Sequence, residues 1–157
     1  NKYKIDLSII KSVVKSNNQR KITLTKRIDK ILKNRLKNKK ITFLGVTFKP
    51  NTDDMREASS IPMINYLNKK GSKIRYYDPS GRKKELDKLK NVKFYSSISS
   101  ACVKSDLIII HTEWNAFKLL DFKRLVKKKN FKVFDMRNIY SQDKMRDLKI
   151  DYTSIGR

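Results

Sequence analysis

The chain has 157 residues, 38% hydrophobic and 34% charged, with a formal net charge of +24. That is one ordinary domain with apolar residues enough for a single core. Its longest apolar run, 107–110, is too short to span a membrane, and a lone cysteine, Cys102, excludes an internal disulfide.

Apolar residues at Ile9, Ile10, Val13 and Val14, then at Leu24, Ile28, Ile31, Leu32 and Leu36, recur at spacings of three and four, the helical period. No Pro or Gly interrupts this segment before Gly45, and the polar patch 16–19 is where a bend or a contact is expected. Such an apolar stripe needs cover, from this chain's core or from a partner. From Lys40 the pattern changes. Residues 41–46 read as a buried strand; Ser59, Ser60 and Pro62 open a helix that Gly71 closes. A strand is expected over 73–77, a helix over 82–89 and a short strand over 92–95. A helix over 98–104 leads to 107–110, a β-branched run typical of a strand covered on both faces. A helix over 122–128, a strand over 131–135, a helix over 140–147 and a strand over 150–154 complete the series. Strands alternating with helices predict an α/β fold, a Rossmann-like parallel sheet flanked by helices and preceded by a long N-terminal helical segment.

The charge invites a nucleic-acid reading, since clustered Lys and Arg release counterions from phosphates. The basic residues are nevertheless spread along the whole sequence, and lysine outnumbers arginine, as an AT-rich coding bias leaves it. Zinc-finger spacing, an RNP-type aromatic motif and a helix-turn-helix pattern are all missing. A solvated basic surface is expected, with no specific nucleic-acid partner and no membrane partner. No apolar leader stretch opens the chain, and the single cysteine suits a reducing cytoplasm.

Ligands of such sheets sit beyond the carboxyl ends of the strands. The first exit is the run 48–57, Phe48-Lys49-Pro50-Asn51-Thr52-Asp53-Asp54-Met55-Arg56-Glu57. It lacks the G-x-G-x-x-G turn of dinucleotide sites, Gly45 standing alone. Lys49 offers a compact cation for a phosphate or remains a surface lysine. Arg56 pairs with Asp53 or Asp54, or presents its fork to a phosphate.

The run 45–57 closely resembles the G-L-x-F-K-P-N-T-D-D-M-R-E segment of UDP-glucose 6-dehydrogenases. Three further elements agree in order and spacing: Tyr77-Asp78-Pro79 with the family's Y-D-P, Thr112-Glu113-Trp114-Asn115-Ala116-Phe117 with its T-E-W-x-x-F, and Asp135-Met136-Arg137-Asn138-Ile139-Tyr140 with its D-x-R-N-x-Y. The ending 152–157 matches the family's close, and Asn17 and Gln19 fit polar positions of its long central helix.

The resemblance implies that residues 1–38 come from the central, dimerisation region and that 39–157 form the C-terminal UDP-sugar-binding domain. It implies that Phe48, Lys49 and Arg137 contact UDP-glucose, and that Arg56 reaches NAD, a cofactor bound mainly by a preceding domain that carries G-x-G-x-V-G. The family's reaction is a four-electron oxidation of UDP-glucose to UDP-glucuronate through two hydride transfers and a cysteine thioester, in a homodimer. The nucleophile motif G-x-C-F-x-K-D is not in this sequence. Cys102 reads as a small buried hydrophobe, so this segment alone is not expected to turn over substrate.

Other residues carry less. Asp53 and Asp54 are expected to cap the following helix. His111 ends a strand where a base could sit, but the family commonly has another residue there. Trp114 is a structural aromatic or stacks on a base, and Asp78 is a turn residue or a ribose ligand. No metal-ligand spacing is present. The T-E-W element argues against the related dehydrogenases of UDP-N-acetylmannosamine and GDP-mannose.

Overall fold

The computed structural model describes residues 7–156; Arg157, the last residue of the closing motif, lies outside them. Helix α1 (Ser8–Ile31) runs unbroken for 24 residues. Of the bend or contact expected at 16–19, no bend occurs, because nothing there removes a backbone donor or needs a positive φ, and Asn17 and Asn18 line a groove instead. The apolar stripe of α1 divides in two. Ile28, Leu32 and Leu36 are buried in the core, whereas Ile9, Ile10, Val13 and Val14 stand exposed. Left-handed backbone at Lys33 and Asn34 stops the helix. Arg27 then ties it to the sheet, donating to the Ser154 carbonyl at 2.7 Å and lying over the Phe134 ring.

Six parallel strands follow: β1 (Lys40–Leu44), β2 (Lys73–Tyr77), β3 (Val92–Phe94), β4 (Leu107–Ile110), β5 (Lys132–Asp135) and β6 (Asp151–Ser154). They lie in the order β3-β2-β1-β4-β5-β6. Strand order therefore reverses between β1 and β4, where ligands of open α/β sheets bind. The alternation of β4 shows both faces to be covered. Leu107 and Ile109 enter one core with Ile28, Phe43 and Leu67, while Ile108 and Ile110 enter the other with Cys102, Phe122 and Val126. Helix α2 (Ser60–Lys69) packs with α1 on the first face. The second face receives side chains of α3 (Ile98–Cys102), α4 (Phe122–Val126) and α5 (Gln142–Asp147).

Expected helices are shortened where side chains hold the backbone elsewhere. Over 82–89 only a 3-10 turn, Lys84–Leu86, forms. Lys83 is extended and buried, with its N–H on the Tyr76 hydroxyl and its ammonium on Ser80 Oγ at 2.7 Å. Positive φ at Lys104 and Lys127 ends α3 and α4 early. Helix α5 starts only at Gln142 because Asp135 and the carbonyl of Phe117 hold Tyr140. Ser59 does not cap α2; Ser60 Oγ donates instead to the Val46 carbonyl. Gly71, at φ +79°, closes α2 as expected. Among the described residues no helix is long and apolar enough to cross a membrane.

Candidate functional site

The exits of β1, β4 and β5 form one clamped assembly. After Leu44 the chain turns through Gly45 at φ +76°, where a β-carbon would lie 2.6 Å from Thr112 Cβ. Only glycine fits, for φ and for space. The next residues are gripped from both sides. Asp78 Oδ2, buried at the end of β2, accepts from the Val46 N–H at 2.8 Å, and Thr112 Oγ1 donates to the Thr47 carbonyl at 2.9 Å. This grip sets Phe48 outward with half its surface exposed.

His111, the first residue past β4, is fully buried between Ser59 Oγ (2.8 Å from Nε2) and Thr112 Oγ1 (3.1 Å from Nδ1). The Thr112 hydroxyl hydrogen is engaged by Thr47, so Nδ1 is the donor and Nε2 accepts from Ser59. Loss of hydration pushes the imidazole down to about 3, helped by the nearby Arg137 charge, and it stays neutral. A neutral ring whose two nitrogens are both engaged is a strut of the site and not a base facing ligand.

Arg137 is the best-positioned cation. Asp135 accepts its backbone N–H at 2.9 Å and is itself held by the Tyr140 N–H and the Tyr152 hydroxyl. The Arg137 Nε–H donates to the His111 carbonyl at 2.7 Å, with Glu113 Oε2 beside it at 2.9 Å. The Nη groups make no hydrogen bond among the described residues, so the outer half of the fork remains available. It opens on a groove of about 750 Å³ between α1 and the strand exits, shared with Phe48, Ser59, Asn17, Asn18 and Arg20.

The four expected contact residues thus divide. Phe48 and Arg137 meet in the groove, while Lys49 and Arg56 lie outside its lining. Lys49 is exposed on the adjoining turn. Arg56 is exposed and grips Asp54, Nε to Oδ1 at 3.0 Å and Nη2 to Oδ2 at 2.9 Å; that pairing holds the Asp54 carboxyl down at about 2. Asp54 also accepts the Arg56 N–H, so it shapes its own turn and does not cap α2, the helix it was expected to cap. Asp78 has both oxygens occupied, by Val46 and by Ser80, which leaves none for a ribose. Trp114 packs against the second core, and its indole N–H is buried with no acceptor among the described residues. Cys102 is buried, and desolvation pushes its thiol up to about 12.

Sequence reasoning missed Glu113 as the partner of Arg137, and Ser59 and Arg20 as groove residues. The first had a signal: Glu113 and Arg137 follow the ends of adjacent strands paired at Ile110 and Asp135. The second had none, because helix phase against the sheet is a tertiary property. Asn17 does reach the groove, whereas Gln19 lines a neighbouring one with Arg27 and Ile155.

A dinucleotide does not fit at this sheet's own crevice. Thr112 fills the space above Gly45, no second glycine follows within that turn, and the β2 carboxylate is occupied. Among the described residues no His, Cys, Asp and Glu cluster can hold a metal ion.

The chain is similar in sequence and fold to known proteins. The UDP-glucose 6-dehydrogenase of Rickettsia typhi is 36% identical over 98% of this chain, and that of Bacillus subtilis is 38% identical over 97%. The chain spans just over a third of their length, 36% and 35%. A UDP-glucose dehydrogenase structure from Pyrobaculum islandicum superposes with a TM-score of 0.72 at 25% identity, covering 94% of this chain and 32% of its own. A UDP-D-ManNAc dehydrogenase structure from Pyrococcus horikoshii shares the fold, with a TM-score of 0.78 at 21% identity over 98% of this chain and 35% of its own. Residues 42–142 match the UDP-binding domain of the UDP-glucose/GDP-mannose dehydrogenase family, and the chain belongs to that family.

Proposed function

We propose that the chain supplies the UDP-sugar-binding part of an NAD-dependent UDP-glucose 6-dehydrogenase acting in the cytoplasm, which oxidises UDP-glucose to UDP-glucuronate. The observation that carries this reading is the guanidinium of Arg137, locked through Nε and open at both Nη groups, facing a groove that also holds Phe48. A fixed fork of this kind suits a diphosphate or sugar hydroxyls. Phe48 would pack against the sugar, with Lys49 adding charge from the rim. Binding energy from the nucleotide would orient the distant C6 hydroxyl.

NAD would be bound by another domain of the enzyme, with the exposed Arg56 turned toward it. The outer apolar residues of α1, Ile9, Ile10, Val13 and Val14, would meet a second copy in a homodimer. No specific nucleic acid is required by this reading.

Titration calorimetry of the chain with UDP tests it, with UDP-glucose, UDP-N-acetylmannosamine and GDP-mannose as competitors. Saturable binding is expected. Loss of charge-assisted bonds in Arg137→Ala should weaken it by about 10- to 100-fold, with a smaller loss in Phe48→Ala. Wild-type affinity in both variants, or no binding by the folded chain, would overturn the assignment of the UDP contacts to this groove.

A further inference from the structure

We propose that the edge of the sheet opposite the groove is a docking face for an anionic phospholipid surface. The basic residues are spread along the sequence, but the fold gathers them. In a parallel sheet every connection returns to the same edge before the next strand begins. The six segments that lead into the strands are 32–40, 70–73, 87–91, 103–106, 127–132 and 148–151. Together they hold fifteen basic residues and three acidic ones. The segments leaving the strands, 45–59, 78–83, 95–97, 111–121 and 136–141, hold six of each. Half of the net charge of the chain therefore lies on one edge, and the groove edge is balanced.

The three acids of the basic edge are already paired. Asp106 meets Lys39 and Lys128, Asp151 meets Lys132, and Asp87 meets Arg82 from outside the edge. Cations such as Lys37, Lys88, Lys127 and Lys129 remain exposed. Helix C-termini account for part of the pattern, because a lysine in the last turn complements the dipole. They do not account for runs such as 127–129 or for the five basic residues within 32–40.

The chemistry favours a lipid surface over nucleic acid. Fourteen of the fifteen cations are lysine, and Arg35 is the one guanidinium. The only aromatic in these segments, Phe131, is 8% exposed, so no ring is presented to a base. Specific duplex or single-strand recognition relies on arginine forks, stacking rings or an element that enters a groove. Ammonium groups on flexible stems, set along an edge of about 25 Å, instead match a continuous field of headgroups. Docked this way, the molecule would keep its nucleotide-sugar groove turned toward solvent.

Vesicle flotation of the chain tests this, comparing neutral phosphatidylcholine with mixtures containing phosphatidylglycerol. Two variants carry the same change of net charge. One reverses the edge, Lys37→Glu, Lys88→Glu, Lys127→Glu and Lys129→Glu. The other reverses exposed lysines elsewhere, Lys11→Glu, Lys15→Glu, Lys26→Glu and Lys118→Glu. Circular dichroism melts confirm that both fold. Expected are binding only to the anionic vesicles, a loss of about 100-fold or more in the edge variant at about 0.1 M salt, and a small loss in the control. Equal losses in the two variants would mean net charge without a docking face. Displacement from the vesicles by an equal phosphate concentration of duplex DNA would reassign the face to nucleic acid. Either result, or no flotation with anionic vesicles, overturns the proposal.

Discussion

Replacing Gly45 with alanine tests the clamp on which the site is built. Two costs add at this position. A non-glycine residue at φ +76° costs about 1–2 kcal/mol. The new methyl also falls 2.6 Å from Thr112 Cβ and 3.1 Å from the Thr112 backbone nitrogen, neither a flexible tip that swings away. Overpacking of this kind costs about 1–3 kcal/mol, so the total loss is about 2–5 kcal/mol. Gly71→Ala separates the two terms. Its φ of +79° is nearly the same, but the closest atom to a β-carbon there is Lys37 Cγ at 3.5 Å, an ordinary contact. Urea denaturation of both variants should place Gly45→Ala about 1–3 kcal/mol below Gly71→Ala, with unchanged m-values. Equal losses would refute the close approach of β1's exit to β4. Because Thr112 also holds the Thr47 carbonyl and His111, Gly45→Ala should weaken UDP binding even where it remains folded.

His111 and Cys102 give two further tests. The imidazole has its ordinary value near 6.5 when unfolded and about 3 when folded, so the unfolded chain takes up the proton first. The stabilising contribution is therefore complete above pH 6.5 and falls by about 1.4 kcal/mol per unit toward pH 3. Urea melts between pH 7 and 4.5 should show that slope as a difference between wild type and His111→Gln, and equal slopes would refute a neutral buried ring. As the chain has one histidine, its ring proton signals should not titrate over this range in the folded state. Cys102, pushed up to about 12, should stay unmodified by a thiol reagent in native buffer and react fully in urea; prompt native labelling would contradict its burial.

Strand positions were legible because a β-branched run such as 107–110 admits few alternatives, and the motif residues fall at strand exits. Helix lengths were less legible. Lys83, Lys127 and Tyr140 have ordinary helical neighbours, and only tertiary partners or a left-handed backbone take them out of the helix. Within the site, the sequence places Phe48 and Arg137 at β1 and β5, and the topology brings them into one groove. It does not indicate that α1 closes that groove, since the phase of a helix against a sheet depends on contacts more than a hundred residues apart, such as Arg27 with Ser154. The lysine distribution misleads in a similar way. Half of an evenly spaced charge gathers on a single edge once each βα unit returns to the same side.

The unbroken α1 has a mechanical consequence. Its 24 residues make a rod about 36 Å long, anchored at one end by Ile28, Leu32 and Leu36. Residue number along such a rod is also an angle, about 100° per residue. Removing one residue near Ser16 would swing Ile9, Ile10, Val13 and Val14 by that angle relative to Arg137 while shortening the rod by only about 1.5 Å. Removing seven would restore the phase to within about 20° at a cost of about 10 Å in reach. The helix thus sets the azimuth of its outer apolar face against the Arg137 guanidinium and the groove along its middle, so a change in residue count becomes a change in direction.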